Sequence, residues 1–248
     1  MTDIAESGDV YFLYRPRVGE EATEGLDEIQ RLFMVLRPRD TRRFRRIVIG
    51  RKQLPDPERS ERFWGFVDTV TTRGAELGER ASGETRETRT RGERVQPEDR
   101  PVGEGVYAIT RHHDHTHFSY RLELPRQRGE PHRELNVEPE ASYVVSVKDP
   151  EQPAPPGAGL SSGQKARLPQ ELHQRFAGRR FVPLDPPDFL DHEGIELVLI
   201  AASAEVSDEL GAALPGEQEN AETADIFDQL RIDRDRHPTE PLLDGEWQ

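Results

Sequence analysis

Four histidines lie close together in the middle of the chain. His112, His113, His115 and His117 make up half of the eight histidines of the protein. On an extended strand, His113, His115 and His117 face the same side, because side chains alternate between the two faces. Glu123 follows His117 by six residues, an even spacing that extends this face. Imidazoles with a carboxylate bind zinc, nickel, copper or ferrous iron, so the pattern predicts a divalent transition-metal site.

A tight turn in the same segment gives a second interpretation. Asp114 is a residue type that favours the turn between two antiparallel strands. If the chain reverses there, only His115, His117 and Glu123 share a strand, and the histidines decorate an exposed hairpin. The sequence leaves both interpretations open.

A second group of chemically active residues lies between Arg37 and Lys52, where eight basic residues stand against one acid, Asp40. Guanidinium groups suit phosphate and carboxylate, and Phe44 offers a ring for stacking. The predicted anion or nucleic-acid surface consists of Arg42, Arg43, Arg45, Arg46, Arg51 and Lys52. The same strip also fits a solvated hairpin, or a surface that receives the acidic C-terminal segment.

The C-terminal segment, residues 205–248, carries thirteen acidic residues against three arginines, whereas the whole chain has a net charge of −14. Most of the acidity therefore belongs to this segment, whose composition predicts disorder with one short helix near residues 223–232. Such segments often bind a protein partner. The predicted partner-docking residues are Ile226, Phe227, Leu230 and Trp247. The alternative is that these apolar residues fold back onto the body.

Residue content excludes several kinds of site. The chain has no cysteine, which excludes disulfides, thiolate metal sites and cysteine nucleophiles. It also lacks the short motifs of phosphate loops, dinucleotide sites, serine hydrolases and zinc peptidases. No catalytic residue is assigned, and the only cofactor predicted is a divalent transition metal.

Other features of the sequence predict the cellular location of the protein. The longest charge-free apolar run, residues 197–204, is too short to span a bilayer, and the first twenty residues lack a secretory pattern. We therefore expect a cytoplasmic protein without a membrane association. Only three of the 34 basic residues are lysine, and an acidic, lysine-poor surface is typical of a salt-rich cytoplasm.

The first 204 residues form the predicted body, in which short β-rich runs alternate with loops rich in proline and glycine. Strands are predicted at 10–14, 31–36, 46–50, 106–110, 118–124, 143–147 and 196–202. The first six fall into two sets of three with similar spacing, within 9–55 and 105–150, which predicts an internal duplication. A third block covers 164–204 and contains the strongest helical pattern, at 169–177.

The stretch between the two sets is less regular. Phe63, Trp64 and Phe66 are expected to be buried, on a segment whose β-branched residues favour a strand. Residues 84–91 are polar on both faces, which fits an exposed ribbon or a loop.

Together these patterns predict an α+β, β-dominated fold with mostly antiparallel sheets that form a sandwich or a barrel. One or two short helices and a disordered acidic C-terminal tail complete it. The absence of catalytic motifs favours a non-enzymatic binding or adaptor protein. A metal-dependent β-barrel enzyme using His113, His115 and His117 is the alternative, and nucleic-acid or phosphate binding through residues 37–52 is a third hypothesis.

Overall fold

Short runs of β-branched and aromatic residues form most of the regular structure, as the pleated geometry of a strand favours. The computed structural model describes residues 3–20, 22–88, 92–155, 159–203, 206, 214–216 and 219–248. The strands are β1 (Asp3–Pro16), β2 (Ile29–Pro38), β3 (Phe44–Ile49), β4 (Arg62–Thr71), β5 (Glu84–Thr88), β6 (Gly92–Gln96), β7 (Arg100–His112), β8 (His115–Leu124), β9 (Glu140–Lys148), β10 (Phe181–Pro183) and β11 (Glu196–Ser203). The described α-helices are α1 (Gly74–Ala81), α2 (Glu130–Leu135), α3 (Gln170–Gln174), α4 (Asp225–Leu230) and α5 (Glu240–Leu243). Single 3₁₀ turns lie at Leu26–Glu28, Pro57–Arg59 and Pro187–Asp191.

Eight strands close into an antiparallel barrel. Their order is β9, β11, β4, β3, β2, β1, β7 and β8, and β8 pairs with β9 to close the circle. β10 pairs with β9 along the same edge as β8 does. β5 and β6 form a separate two-stranded ribbon. The predicted β-dominated, antiparallel fold is confirmed, and of its two alternatives the structure is the barrel. The two predicted sets of strands form the meanders β1–β2–β3 and β7–β8–β9, while their duplication stays a prediction.

Large side chains fill the barrel interior. Phe12, Phe118, Tyr120 and Tyr143 are all buried in the main core. The rings of Phe12 and Tyr120 lie 5.0 Å apart and are tilted by 59°, an arrangement that aromatic pairs favour. The interior is therefore a packed core.

A second apolar layer covers the outer face of β1, β2 and β3. Tyr11, Phe33 and Val48 belong to this layer together with Leu77 of α1 and Phe227 of α4. Both faces of these strands are thus buried. This explains why β2 reads as a nearly continuous apolar run instead of an alternating one.

The C-terminal residues 219–248 supply much of this outer layer, although their composition predicts disorder. Ile226, Phe227 and Leu230 are almost fully buried, and the ring of Trp247 packs edge-on against Tyr14 at 5.5 Å. Of the two alternatives for these four residues, the structure shows the fold-back. The physical reason is that β1–β3 present apolar side chains outward, which Ile226, Phe227 and Leu230 cover, whereas Trp247 packs against the main core.

The helices differ most from the sequence expectation. The pattern at 169–177 yields only the five-residue helix α3. The chain leaves the helical conformation before Ala177 and Gly178, whose φ angles of 47° and 78° are left-handed. The longest described helix is instead α1, whose pattern is obscured by Gly74 and Gly78. None of the described helices combines the length and the apolar character needed to cross a membrane.

The two glycines of α1 allow a close approach to the end of α4. A Cβ at Gly74 would lie 1.7 Å from the carbonyl oxygen of Gln229. A Cβ at Gly78 would lie 2.5 Å from the carbonyl oxygen of Leu230. The missing side chains therefore let the two helices pack backbone to backbone.

A buried carboxyl group on β7 anchors the start of α4. Glu104 accepts hydrogen bonds from the backbone N–H groups of Asp225 (3.1 Å) and Ile226 (2.9 Å), which belong to the first turn. Burial, followed by a hydrogen bond with Glu219, raises the pKa of Glu104 to about 9. At neutral pH the folded protein therefore keeps a proton on Glu104, whereas the same group is ionised in the unfolded chain, where its pKa is 4.5.

Replacement of Gly78 by alanine is expected to destabilise the protein, even though alanine favours a helix over glycine by about 1 kcal/mol. The new methyl group meets the backbone of α4, and overpacking of this kind costs about 1–3 kcal/mol. Chemical denaturation should show a lower free energy of unfolding for Gly78→Ala. The exposed neighbour variant Glu79→Ala is the control, expected within about 0.5 kcal/mol of the parent. A Gly78→Ala protein as stable as the parent contradicts the close packing.

Stability is expected to fall as the pH rises across the range in which folded Glu104 keeps its proton. The pKa of Glu104 is raised from 4.5 to about 9, so this contribution is complete below 4.5 and is lost towards pH 9. The free energy of unfolding of Glu104→Gln, which stays neutral, should decline less over this range than that of the parent. Glu222→Gln is an exposed change in the same segment, and its free energy of unfolding should decline with pH as steeply as that of the parent. Parallel pH profiles for Glu104→Gln and the parent are the contrary result.

Candidate functional sites

The arginine-rich strip divides between the two faces of β3. Arg45 points into the barrel, is 1% exposed, and bonds to Glu6 (2.7 Å) and Asp191 (2.7 Å). The hydroxyl of Tyr107 donates to Glu6 at 2.8 Å and completes this network. Because carboxylates neutralise Arg45 inside the protein, it is a structural residue.

Other members of the strip are also occupied by partners. Arg46 points outward but lies beneath the outer layer, where it pairs with Asp68 at 2.8 Å and stacks 4.6 Å from the ring of Phe33. Arg43 pairs with Asp191. The predicted surface of six basic residues is therefore wrong for Arg45 and Arg46, which are buried, whereas the Arg43 side chain stays 47% exposed beside its partner. A strand between two covered layers buries side chains on both of its faces.

Phe44, the predicted stacking ring, is also buried in the outer layer. Arg42 and Arg51 are exposed and Lys52 is half-buried. Arg42 lies in the turn between β2 and β3, whereas Arg51 and Lys52 follow β3 at the opposite end of that strand. The exposed basic residues of the strip therefore form two separate groups, Arg42 and Arg43 in the turn before β3 and Arg51 with Lys52 after its end.

Arg51 lies in a cleft of about 600 Å³ on the outer surface of the barrel. We call this the arginine–tryptophan cleft and define it by Arg31, Arg51, Arg62, Trp64 and Phe66. It contains three guanidinium groups and two half-exposed aromatic rings. The sequence analysis expected Trp64 and Phe66 to be buried; both rings are only partly buried, and Phe66 packs against the outer apolar layer.

Strand register brings the parts of this cleft together. Leu32 pairs with Ile49, and Ile49 pairs with Gly65, so the next positions on the outer face are Arg31, Gly50 and Trp64. The amide of Gly50 donates to the carbonyl of Trp64 at 2.8 Å. A Cβ at Gly50 would lie 2.9 Å from that oxygen, so only glycine fits between the arginine and the tryptophan.

The cleft carries an excess of positive charge. In the described part of the chain, no carboxylate lies within ion-pair distance of Arg31, Arg51 or Arg62. The pKa of the nearby Lys52 is lowered, first by partial burial and then by the charges of Arg17 and Arg31. Glu196 also borders the cleft, but its carboxylate is held by Lys148 at 3.1 Å.

The histidines occupy the hairpin between β7 and β8. His112 pairs with His115, so the chain reverses at His113 and Asp114. The reversal leaves His113 exposed at the tip and gathers His112, His115 and His117 on one outer face. The predicted set of His113, His115 and His117 is therefore wrong at its first member.

Glu123 is also separated from the histidines. The six residues from His117 to Glu123 span about 20 Å of strand, and the β7–β8 register shifts next to Glu123. Glu123 therefore lies too far away to share a metal ion with His117. Across the described residues, no group of three or more histidine, aspartate or glutamate side chains is arranged so that it could hold a metal ion.

Comparisons with protein-family models, with curated proteins and with solved structures gave no match to this chain. Functional inference therefore rests on the residues themselves. The alternation of side chains along β4 could have indicated the two aromatic residues of the cleft, because it places Trp64 and Phe66 on the face opposite Phe63. Nothing in the sequence indicates that Arg31 and Arg62 flank this face.

The half-exposed ring of Trp64 is expected to be quenched more strongly by iodide than by caesium. The three guanidinium groups attract the anion over a screening length of about 10 Å at 0.1 M salt. The Trp64 signal is obtained by subtracting the fluorescence of Trp64→Phe. Arg62→Glu should reduce iodide quenching, and Arg39→Glu, an exposed change at the far end of β2, should not. Equal quenching by the two ions contradicts a positive cleft.

Proposed function

We propose that the protein is a binding protein that takes up a nucleotide-sized anionic ligand in the arginine–tryptophan cleft. The observation that carries this proposal is that three guanidinium groups, which have no carboxylate partner among the described residues, flank a half-exposed tryptophan ring. This proposal moves the predicted phosphate-binding function from residues 37–52 to a site that those residues only partly supply.

The side chains of the cleft suit the two halves of a nucleotide. Arginine presents a planar fork of donors that matches a phosphate group. Tryptophan offers a flat ring on which a base can stack, a contact worth about 1–3 kcal/mol. Arg31, Arg51 and Arg62 would bind the phosphates while Trp64 holds the base.

The size of the cleft favours a small ligand over a long strand. Its volume of about 600 Å³ falls in the middle of the usual range for small-molecule sites, about 300–1,000 Å³. The protein also carries a net charge of −14, which repels an extended polyanion beyond the cleft. The strand positions of Arg31, Arg62 and Trp64 hold the site on a closed, packed barrel.

The proposal is tested by calorimetric titration with adenosine triphosphate, with adenosine and with tripolyphosphate. We expect saturable binding of adenosine triphosphate, and at least tenfold weaker binding of each half, because each loses about 1.4 kcal/mol or more. Trp64→Leu, which keeps an apolar side chain but removes the ring, should weaken binding by about 5-fold to 150-fold.

Matched arginine variants separate the cleft from general charge. Arg51→Ala and Arg62→Ala should weaken binding of adenosine triphosphate by tenfold or more. Arg42→Ala removes the same charge from an exposed position outside the cleft and should leave the affinity within twofold. Failure of adenosine triphosphate to bind with a Kd below about 1 mM, or an equal loss in Arg42→Ala, rejects the proposal.

A further inference from the structure

The ring of Trp64 has an aromatic neighbour on the outer surface of the barrel. It contacts the ring of Phe181 on β10, with ring centres 6.0 Å apart and 57° between the two planes. Tilted pairs at this separation are a favoured arrangement of aromatic side chains. Phe181 does not line the arginine–tryptophan cleft, so it acts on a ligand in the cleft through Trp64.

Strand register places both rings on the same outer face. Trp64 pairs with Val198 of β11, which pairs with Ser146 of β9. Ser146 in turn pairs with Pro183 of β10. Phe181 precedes Pro183 by two residues and therefore faces the same side.

The two rings meet above the strands that separate them. Three strand spacings lie between β4 and β10, a distance of about 14 Å. The side chains must therefore lean towards each other over β11 and β9 to bring their ring centres within 6.0 Å. Val198 and Ser146 occupy the intervening positions, and both are small enough for the rings to extend over them. An indole supported in this way offers a fixed flat face, whereas an unsupported indole samples several rotamers.

Phe181 is itself held in place. Its backbone belongs to the β9–β10 ladder, where Phe181 pairs with Lys148. The guanidinium group of Arg180 lies 6.0 Å from the centre of the Phe181 ring. This group also donates a hydrogen bond to the carbonyl oxygen of Pro153. Because these contacts restrict Phe181, its ring is a fixed support for Trp64.

We infer that Phe181 is a positioning residue that holds the Trp64 ring for a purine base, so that the cleft binds purine nucleotides more tightly than pyrimidine nucleotides. This inference rests on the proposed function and names the class of base that the same site prefers. A purine has two fused rings and covers more of a fixed indole than the single ring of a pyrimidine does. The additional buried area is expected to raise the affinity about fivefold.

The test compares calorimetric titrations with the triphosphates of adenosine, guanosine, cytidine and uridine, which share their phosphates and ribose. We expect the two purine nucleotides to bind about fivefold more tightly than the two pyrimidine nucleotides. Phe181→Leu keeps an apolar side chain but removes the ring, and it should reduce this ratio to about twofold or less. Tripolyphosphate should bind to Phe181→Leu as tightly as to the parent, because the guanidinium groups are unchanged. A general loss of structure would weaken the binding of tripolyphosphate as well.

Two further variants and a spectroscopic measurement isolate the role of the ring. Phe181→Tyr keeps a ring at this position and should retain the purine preference. Leu172→Ala shortens a half-buried side chain of α3 outside the cleft, and it should also retain the preference. The fluorescence anisotropy of Trp64, obtained by subtracting the signal of Trp64→Phe, should decay faster in Phe181→Leu than in the parent.

The outcomes separate this inference from the function on which it rests. Equal affinities for all four nucleotides, or an unchanged purine preference in Phe181→Leu, overturn the inference and leave nucleotide binding in place. An unchanged anisotropy decay in Phe181→Leu overturns it as well. If none of the four nucleotides binds with a Kd below about 1 mM, the proposed function fails, and the inference fails with it.

Discussion

Closure of the barrel by the pairing of β8 with β9 is the constraint on which the rest of the structure depends. Without this ladder, two strands would expose their backbone groups along an open edge. Side chains stabilise the closing ladder on both faces. Inside the barrel, the rings of Tyr120 and Tyr143 stack 6.4 Å apart. Outside, Ser142 bonds to Ser119 at 3.0 Å and to His117 at 2.9 Å. The ladder that closes the fold therefore also fixes His117, the buried histidine of the β7–β8 hairpin.

Once the barrel is closed, each strand presents one face to the core and one to the outside. Charged side chains on a strand are then divided between these two faces. In β3 this rule sends Arg45 inward to Glu6 and Asp191, and Arg46 outward to Asp68 beneath the outer layer. Removing one partner of such a pair leaves an uncompensated charge, at a cost of about 3–5 kcal/mol. The arginines within this strand are thus neutralised inside the protein, and the exposed basic residues lie beyond its two ends.

The arginine–tryptophan cleft lies on outward-facing strand positions next to a turn, where the packed barrel fixes the strands and the side chains still reach solvent. Gly50 allows the close approach of the Trp64 backbone, and the strand register then places Arg31 and Trp64 on neighbouring positions of one outer face. The guanidinium groups of the cleft stay charged at every physiological pH.

The sequence by itself determined the β-dominated antiparallel fold, most of the strands and the presence of a histidine cluster, because these depend on local alternation and composition. Only the tertiary structure decided that His112 replaces His113, since one reversal of the chain exchanges which residues share a face. It also decided that Ile226 and Phe227 cover the barrel. The acidic composition of their segment does not reveal the apolar outer face of β1–β3 against which they pack. The cleft was hidden for the same reason: Arg31, Arg62 and Trp64 meet only through the register of β2, β3 and β4. Residues far apart along the chain become neighbours through strand pairing, and no local pattern records that pairing.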